Sequence, residues 1–439
     1  MRSTLDETHD PRARSRVESA NSGHTDFPIQ NLPFGVFRRS GDYARRIGVA
    51  IGDCILDLRA CYESGSLKNL DAGTGTACQS AVLNELMKLG SEQRRCLRRE
   101  IFRLLNREVE PAGDLPNKLL FDAADAEMLL PVAVGDYTDF YASIVHATNV
   151  GSMFRPNNPL LPNYKWVPIG YHGRASSLVV SGTGICRPWG QTMPAGANAP
   201  VYRPSSRLDY ELEVGAYVAM GNQLGESIPI DQAEERMFGL SLVNDWSARD
   251  IQSWEYQPLG PFLGKSFATT VSPWVVTREA LAPYRTAPAL RPEDDPQPLP
   301  YLQAQDDQHD GFDILLDVEL SSAKMRAKGI PPQRLSAASF RNMYWTMTQL
   351  MTHHASNGCN LRPGDLLASG TVSGTSPEAR GCLLELTWNG RQSIELAGGE
   401  ERTFLEDGDE IIFHGRCQET GKAQIGFGEC RGKIIGTHA

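Results

Sequence analysis

Over residues 208–218 apolar and acidic positions alternate: Tyr210, Leu212, Val214, Ala216 and Val218 fall on one side, Asp209, Glu211 and Glu213 on the other. A period of two predicts a β-strand with one apolar face. Glu211 and Glu213 then leave the same side, roughly 7 Å apart along the strand rise. Carboxylates that close repel each other unless positive charge lies between them. A solvated sheet face would tolerate them. A divalent cation accounts for them better, because hard cations collect oxygens from several carboxylates. Asp245, just after the apolar run 238–243, can supply a further ligand.

The same reading along the chain predicts strands at 35–37, 46–51 and 54–58, the last two joined as a hairpin by Gly52 and Asp53. Beyond residue 130 it predicts strands at 177–180, 238–243, 313–320, 383–388 and 410–413. Helical spacing appears at 79–89, 91–107 and 339–356, the last with Ser339 as N-cap and Gly358 as terminator. The stripe Met343, Met347, Leu350, Met351 and His354 on that helix reads as core, and the adjacent His353 and His354 read as packing and capping residues rather than a metal pair. Residues 281–311 are rich in Pro and Asp and read as a surface excursion. Residues 1–26 are polar, mixed in charge and without an apolar centre, so a disordered leader is expected there rather than a signal peptide. Many short strands and few helices predict a mostly β (α+β) chain, with one domain over 27–130 and a second over 131–439.

The 439 residues suffice for such a pair of domains. A formal net charge of −10 argues against a nucleic-acid surface. No apolar run approaches the length of a membrane span. Nine cysteines without a C-x-x-C pair predict reduced, mostly buried thiols and a cytoplasmic protein.

Three segments carry candidate chemistry. Residues 135–141 hold Asp136, Tyr137, Asp139 and Tyr141, with His146 shortly after. Asp and Thr also favour capped turns, so a structural role is an even alternative there. An imidazole ordinarily titrates near neutral pH, which suits a general base. Downstream, Asp245, Arg249, Gln252 and Tyr256 would share one face of a helix whose other side carries Trp246, Ile251 and Trp254. An acid, a cation, an amide and a phenol make a poor core face and a good cavity lining. Residues 258–267 contain Gly264, Lys265 and Ser266, but Leu259 stands where a phosphate loop needs glycine. Lys265 therefore reads as a fixed cation near the acids. Residues 369–374 can bind a carboxylate through amides and hydroxyls. Glu385, alone in an apolar strand, needs a partner.

Taken in order, residues 27–33, 135–141, 171–177, 244–252, 258–267 and 360–373 resemble the fumarylacetoacetate hydrolase family, and the likeness runs from Phe27 to about Gly432. The resemblance implies an SH3-like N-terminal β domain, a mixed β-roll or sandwich catalytic domain, and a homodimer. It implies hydrolysis of the carbon–carbon bond of 4-fumarylacetoacetate, a diketo-dicarboxylate, to fumarate and acetoacetate, the last step of tyrosine and phenylalanine breakdown. Asp139, Glu211, Glu213 and Asp245 would bind Ca²⁺, with Asp136 competing for the place of Asp139. Asp245, Lys265 and Thr269 would accompany Mg²⁺. His146 would be the base, oriented by Glu385. Arg249, Gln252 and Lys265 would form the oxyanion site, and Tyr141, Arg155, Tyr171, Gln252, Tyr256 and Thr371 would hold substrate. Acylpyruvate hydrolysis, oxaloacetate decarboxylation and a non-catalytic SH3-like binding role are the competing expectations.

Overall fold

The computed structural model describes residues 5–109, 118–304 and 307–437. Strands dominate it. Seven of them frame the site: β1 (Phe34–Arg39), β2 (Tyr137–Phe140), β3 (Leu212–Val218), β4 (Met237–Asp245), β5 (Thr269–Val271), β6 (Trp274–Thr277) and β7 (Leu366–Ala368). One sheet runs from the N-terminal hairpin Arg46–Ile51 and Cys54–Asp57 through β1, β6, β4, β3, β7 and β2 to Gly170–His172. The junction lies between β1 and β6, where Phe34 pairs with Val275 and Gly35 with Trp274. The N-terminal β part and the C-terminal part therefore share a ladder.

A second sheet, ordered Gln333–Ser339, Leu315–Ser321, Glu410–Cys417, Ile425–Ile435 and Gly184–Cys186, packs against the first. Leu212, Val214, Leu240 and Leu242 meet Leu316, Val318, Phe413 and Phe427 in one core between them. A second core joins Ile29, Val36 and Leu97 of the N-terminal part to Tyr217, Phe238, Val243 and Leu366. β3 is consequently buried on both faces, and the face carrying Glu213 is not solvated.

Four helices matter below: α1 (Ile144–Phe154), α2 (Arg249–Glu255), α3 (Met347–Ala355) and α4 (Leu383–Leu386). α1 starts where the Ser143 side chain accepts from the His146 amide, a cap that fixes the first turn and with it His146.

Several predicted elements differ. The strand expected over 208–218 breaks between Asp209 and Leu212, because Leu208 and Asp209 pair with Ala248 and Ser247 while the Asp209 side chain accepts from the Tyr210 amide. The helix expected over 339–356 is a short turn, Phe340–Asn342, followed by α3. Between them the Tyr344 amide donates to the Ala142 carbonyl, and a reciprocal Thr346–Gln349 capping box restarts the helix. Met343, Met347, Leu350 and Met351 are core, as the stripe predicts. The helix expected over 79–89 shrinks to Asn84–Met87. The strand expected over 383–388 is instead α4, a single helical turn.

The disordered leader is also corrected. Residues 1–4 lie outside the described residues, as does 110–117 within the first domain, but residues 5–26 pack on the molecule. Ala13, Val17 and Ala20 enter the N-terminal core. The Thr8 hydroxyl accepts from Arg98 Nε at 2.9 Å, and His9 Nε2 lies 2.9 Å from the Glu279 carbonyl. A polar composition concealed this segment, whose buried contacts are few and widely spaced. All nine cysteines are free, and no described helix is long and apolar enough to cross a membrane.

Candidate active site

The acids meet at the C-terminal end of β4. Asp139 sits on β2, Glu213 on β3 and Asp245 at the last position of β4, with Glu211 in the break before β3. Potential ligand atoms from these four residues lie within 4.8 Å of one another, and all four are buried. Register produces the cluster: β3 pairs with β4 on one side and β7 on the other, and β7 pairs with β2 so that Ala368 stands opposite Asp139. Of the two aspartates in their segment, Asp136 is exposed and Asp139 is inside.

Charge balance is uneven across the cluster. Lys265 Nζ contacts Glu211 and lies 2.6 Å from Asp245 Oδ2. Arg249 Nη1 is 2.8 Å from Glu211 Oε1. Thr269 Oγ1 donates to Asp245 Oδ1 at 2.8 Å, and the Tyr171 hydroxyl donates to Asp245 Oδ2 at 2.7 Å. Burial pushes the Glu211 carboxyl up, but Lys265 and Arg249 outweigh it and hold it down at about 2. Among the described residues no cation pairs directly with Asp139 or Glu213 on the far side. Asp139 Oδ1 and both oxygens of Glu213 are buried with no hydrogen-bond partner. Burial, and then the charge of neighbouring acids, raises both carboxyls well above the ordinary range. Buried carboxylates without partners cost several kcal/mol each. A hard divalent cation with oxygen ligands removes that cost, so this donor set fits a metal. The Lys265 ammonium cannot be a ligand; its place is that of a counter-ion, and any ligand role falls to its carbonyl.

Beside the acids, His146 Nδ1 lies 2.6 Å from Glu385 Oε2. Burial would raise the Glu385 carboxyl, yet His146 and the hydrogen bonds around it hold it down at about 2. The pairing assigns the imidazole Nδ1 proton to this carboxylate and leaves Nε2 as the free lone pair. The Tyr141 ring stands edge-on to the imidazole at 5.3 Å.

Asp245, predicted to share a helix with Arg249, instead ends β4, and Arg249 opens α2. Gln252, one turn on, accepts from Arg249 Nη1 at 3.3 Å, which leaves its amide nitrogen able to donate elsewhere. The loop carrying Lys265 lies against α2 so closely that a Cβ on Gly264 would come within 2.8 Å of the Gln252 backbone. Thr371 follows Gly370, whose φ of +76° and contact with the Phe140 carbonyl require glycine; the Thr371 hydroxyl is buried and unpartnered. Tyr256 is partly exposed at the end of α2. Arg155 is exposed at the end of α1 and donates to the Pro159 carbonyl; no contact joins it to the acids. His354 stays outside the cluster, 2.7 Å from Thr138 Oγ1.

Asn149, Cys382 and Asp209 were given no role by the sequence, whereas Ser373 lies in the segment 369–374 expected to bind a carboxylate through its hydroxyls and amides, and the carboxylate it meets is Glu385. Asn149 Nδ2 donates to Glu385 Oε1 at 2.8 Å, Ser373 Oγ to Oε2 at 2.7 Å, and Cys382 Sγ lies 3.3 Å from Oε2. Asp209 accepts from Arg249 Nε and from two amides of α4. Asn149 lies one α-helical step beyond His146, a signal available in the sequence; the others are joined only by folding.

Comparison with known proteins agrees with this arrangement. Residues 30–131 match the family described as fumarylacetoacetase N-terminal, and residues 137–435 match the fumarylacetoacetate (FAA) hydrolase C-terminal family. The chain is 50% identical to the fumarylacetoacetase of Homo sapiens over 420 residues, covering 94% of this chain and 96% of that one. It is 50% identical to the Bos taurus fumarylacetoacetase, with 94% and 96% covered, and 48% identical to that of Oryza sativa subsp. japonica, with 96% and 97% covered. The solved structure of a fumarylacetoacetate hydrolase from psychrophilic Exiguobacterium antarcticum superposes with a TM-score of 0.50 at 17% identity, covering 92% of this chain and 99% of that one, a likeness of fold. With both domains matched and half the residues shared with relatives of the same length, the chain belongs to the fumarylacetoacetate hydrolase family.

Proposed function

We propose that this hydrolase cleaves the carbon–carbon bond of 4-fumarylacetoacetate to give fumarate and acetoacetate, as the closing step of tyrosine and phenylalanine breakdown in the cytoplasm. One observation carries the reading: a carboxylate-held imidazole lies beside a buried four-carboxylate cluster, with Arg249 bound to Glu211 of that cluster. The substrate is a 1,3-diketone between carboxylates. Water must attack one carbonyl, and the departing carbon must leave as an enolate.

Asp139, Glu211, Glu213 and Asp245 would hold a divalent cation, Ca²⁺ by the family resemblance, which would supply Lewis acidity to the reacting diketone. By the same resemblance Mg²⁺ would lie beside Asp245, Lys265 and Thr269. His146 Nε2 takes the proton of the attacking water, and Glu385 stabilises the imidazolium that results. That proton is then returned to the leaving carbon. The Arg249 guanidinium, the Gln252 amide and the third N–H of Lys265 donate where the tetrahedral oxyanion develops. Tyr141, Tyr171, Tyr256 and Thr371 orient the substrate. Arg155 offers a cation at the pocket mouth, against an acidic chain that would otherwise repel a dianion.

Leu259 is 96% and Phe262 61% exposed in the loop leading to Lys265. An apolar loop so placed supports a homodimer, which sedimentation at several concentrations tests.

The decisive assay follows loss of the substrate's enol absorbance. His146→Ala should lower kcat about 10²–10⁴-fold, and thorough chelation should abolish turnover until a divalent cation is restored. Turnover unchanged by the substitution removes His146 as the base. Acylpyruvates and oxaloacetate, measured alongside, should turn over far more slowly; a preference for either reassigns the substrate.

A further inference from the structure

We infer that Asp209 is a positioning residue that sets the base and the oxyanion donors in register with each other. The inference rests on the reaction proposed above. Asp209 is fully buried, on the short strand just before Glu211. Its Oδ2 accepts from Arg249 Nε at 2.9 Å, and Arg249 Nη2 lies 2.9 Å from the same oxygen. The Leu384 amide donates to Oδ2 at 2.9 Å and the Leu383 amide to Oδ1 at 2.8 Å. The Tyr210 amide completes the set at 2.9 Å.

Two consequences follow from this one carboxylate. Occupying the Nε edge of the guanidinium leaves Nη1 as the end that reaches Glu211 and Gln252, and so aims Arg249 into the site. A planar fork held along one edge cannot rotate without breaking those bonds. Binding the first two amides of α4 fixes the turn that presents Glu385 to His146. α4 has only four residues and no side-chain cap of its own at Cys382, so a distant carboxylate supplies what a local cap ordinarily would. Four donors, Arg249 Nε and the amides of Tyr210, Leu383 and Leu384, converge on this one buried carboxyl. A structural aspartate needs only to satisfy amides. This one also ties the donor Arg249 to the partner of the base, although their attachment points lie far apart in sequence.

The test uses the full-length, metal-loaded protein and fumarylacetoacetate. Asp209→Asn keeps the shape, removes the charge and puts an N–H against either Arg249 or the α4 amides. We expect kcat to fall about 10–100-fold, the scale of a misplaced catalytic group, with KM changed less than about twofold, unaltered metal content and a folded protein. In a Glu385→Gln background the same substitution should cost measurably less than in the wild type, because one of the two groups it positions is already lost while Arg249 remains. Equal losses in both backgrounds, or a rise in KM alone, overturn the proposal. If Asp209→Asn does not fold, Asp209→Glu carries the same comparison. If neither folds, Asp209 serves folding alone and the proposal falls. A wild-type protein that fails to turn over the substrate sinks the proposed function instead, so the two failures are told apart.

Discussion

At the residue scale the site separates groups whose charge is already satisfied from groups that wait for a cation. Glu385 is of the first kind. Its carboxyl is held down at about 2 from an ordinary 4.5 by His146, Asn149 and Ser373. A depressed folded-state value means stability that is complete above the unfolded value and lost as pH falls through the folded one. The difference in Tm between the wild type and Glu385→Gln should therefore be full at neutral pH and shrink as pH drops from about 4.5 toward about 2; a constant difference over that range refutes the assignment. Asp139 and Glu213 are of the second kind, and chelation should lower Tm as well as activity because bound metal stabilises only the folded state. Residue identity was well legible at this scale. The paired glutamates, Asp245 and Lys265 stand out by spacing and charge, and folding brings them together. Asp209 did not stand out, because an acid next to a strand break looks like any other polar strand position until its donors, Arg249 and the α4 amides, are seen.

At the element scale the positions of the site depend on close backbone approaches. The Lys265 loop lies on α2 only because Gly264 has no side chain. Gly264→Ala should displace Lys265 from Glu211 and Asp245, and we expect at least about a tenfold loss of kcat/KM, since misplacements near 1 Å can cost that much or more. Unchanged kinetics would show that the loop shifts without consequence. Periodicity found the central strands and missed the short connecting elements. The strand expected around Glu385 is helical because Asp209 caps its first turn. The helix expected from Ser339 is interrupted because residues 343–346 are drawn out to bond Ala142. In both cases a partner remote in sequence overrides a local pattern that was read correctly.

At the scale of the whole molecule, composition divides the chain more sharply than its contacts do. Residues 5–26, which composition reads as a leader, close part of the N-terminal core. Removing residues 1–26 should lower Tm by several degrees, since Ala13, Val17 and Ala20 would leave apolar surface uncovered and Arg98 would lose the Thr8 hydroxyl; a truncated protein with the wild-type Tm would return the segment to the status of an appendage. Residues 30–131 and 137–435 match separate families, but the strand pairing between these regions is not legible in the sequence, because pairing leaves no signature in either strand alone.

That pairing of Phe34 and Gly35 with Val275 and Trp274 governs how the protein comes apart. A hinge cannot form where a ladder crosses the boundary, and the N-terminal part cannot melt first without opening an edge of the sheet that carries Glu213 and Asp245. The chain should absorb heat in one calorimetric peak, with equal van't Hoff and calorimetric enthalpies, despite being long enough for two independent transitions.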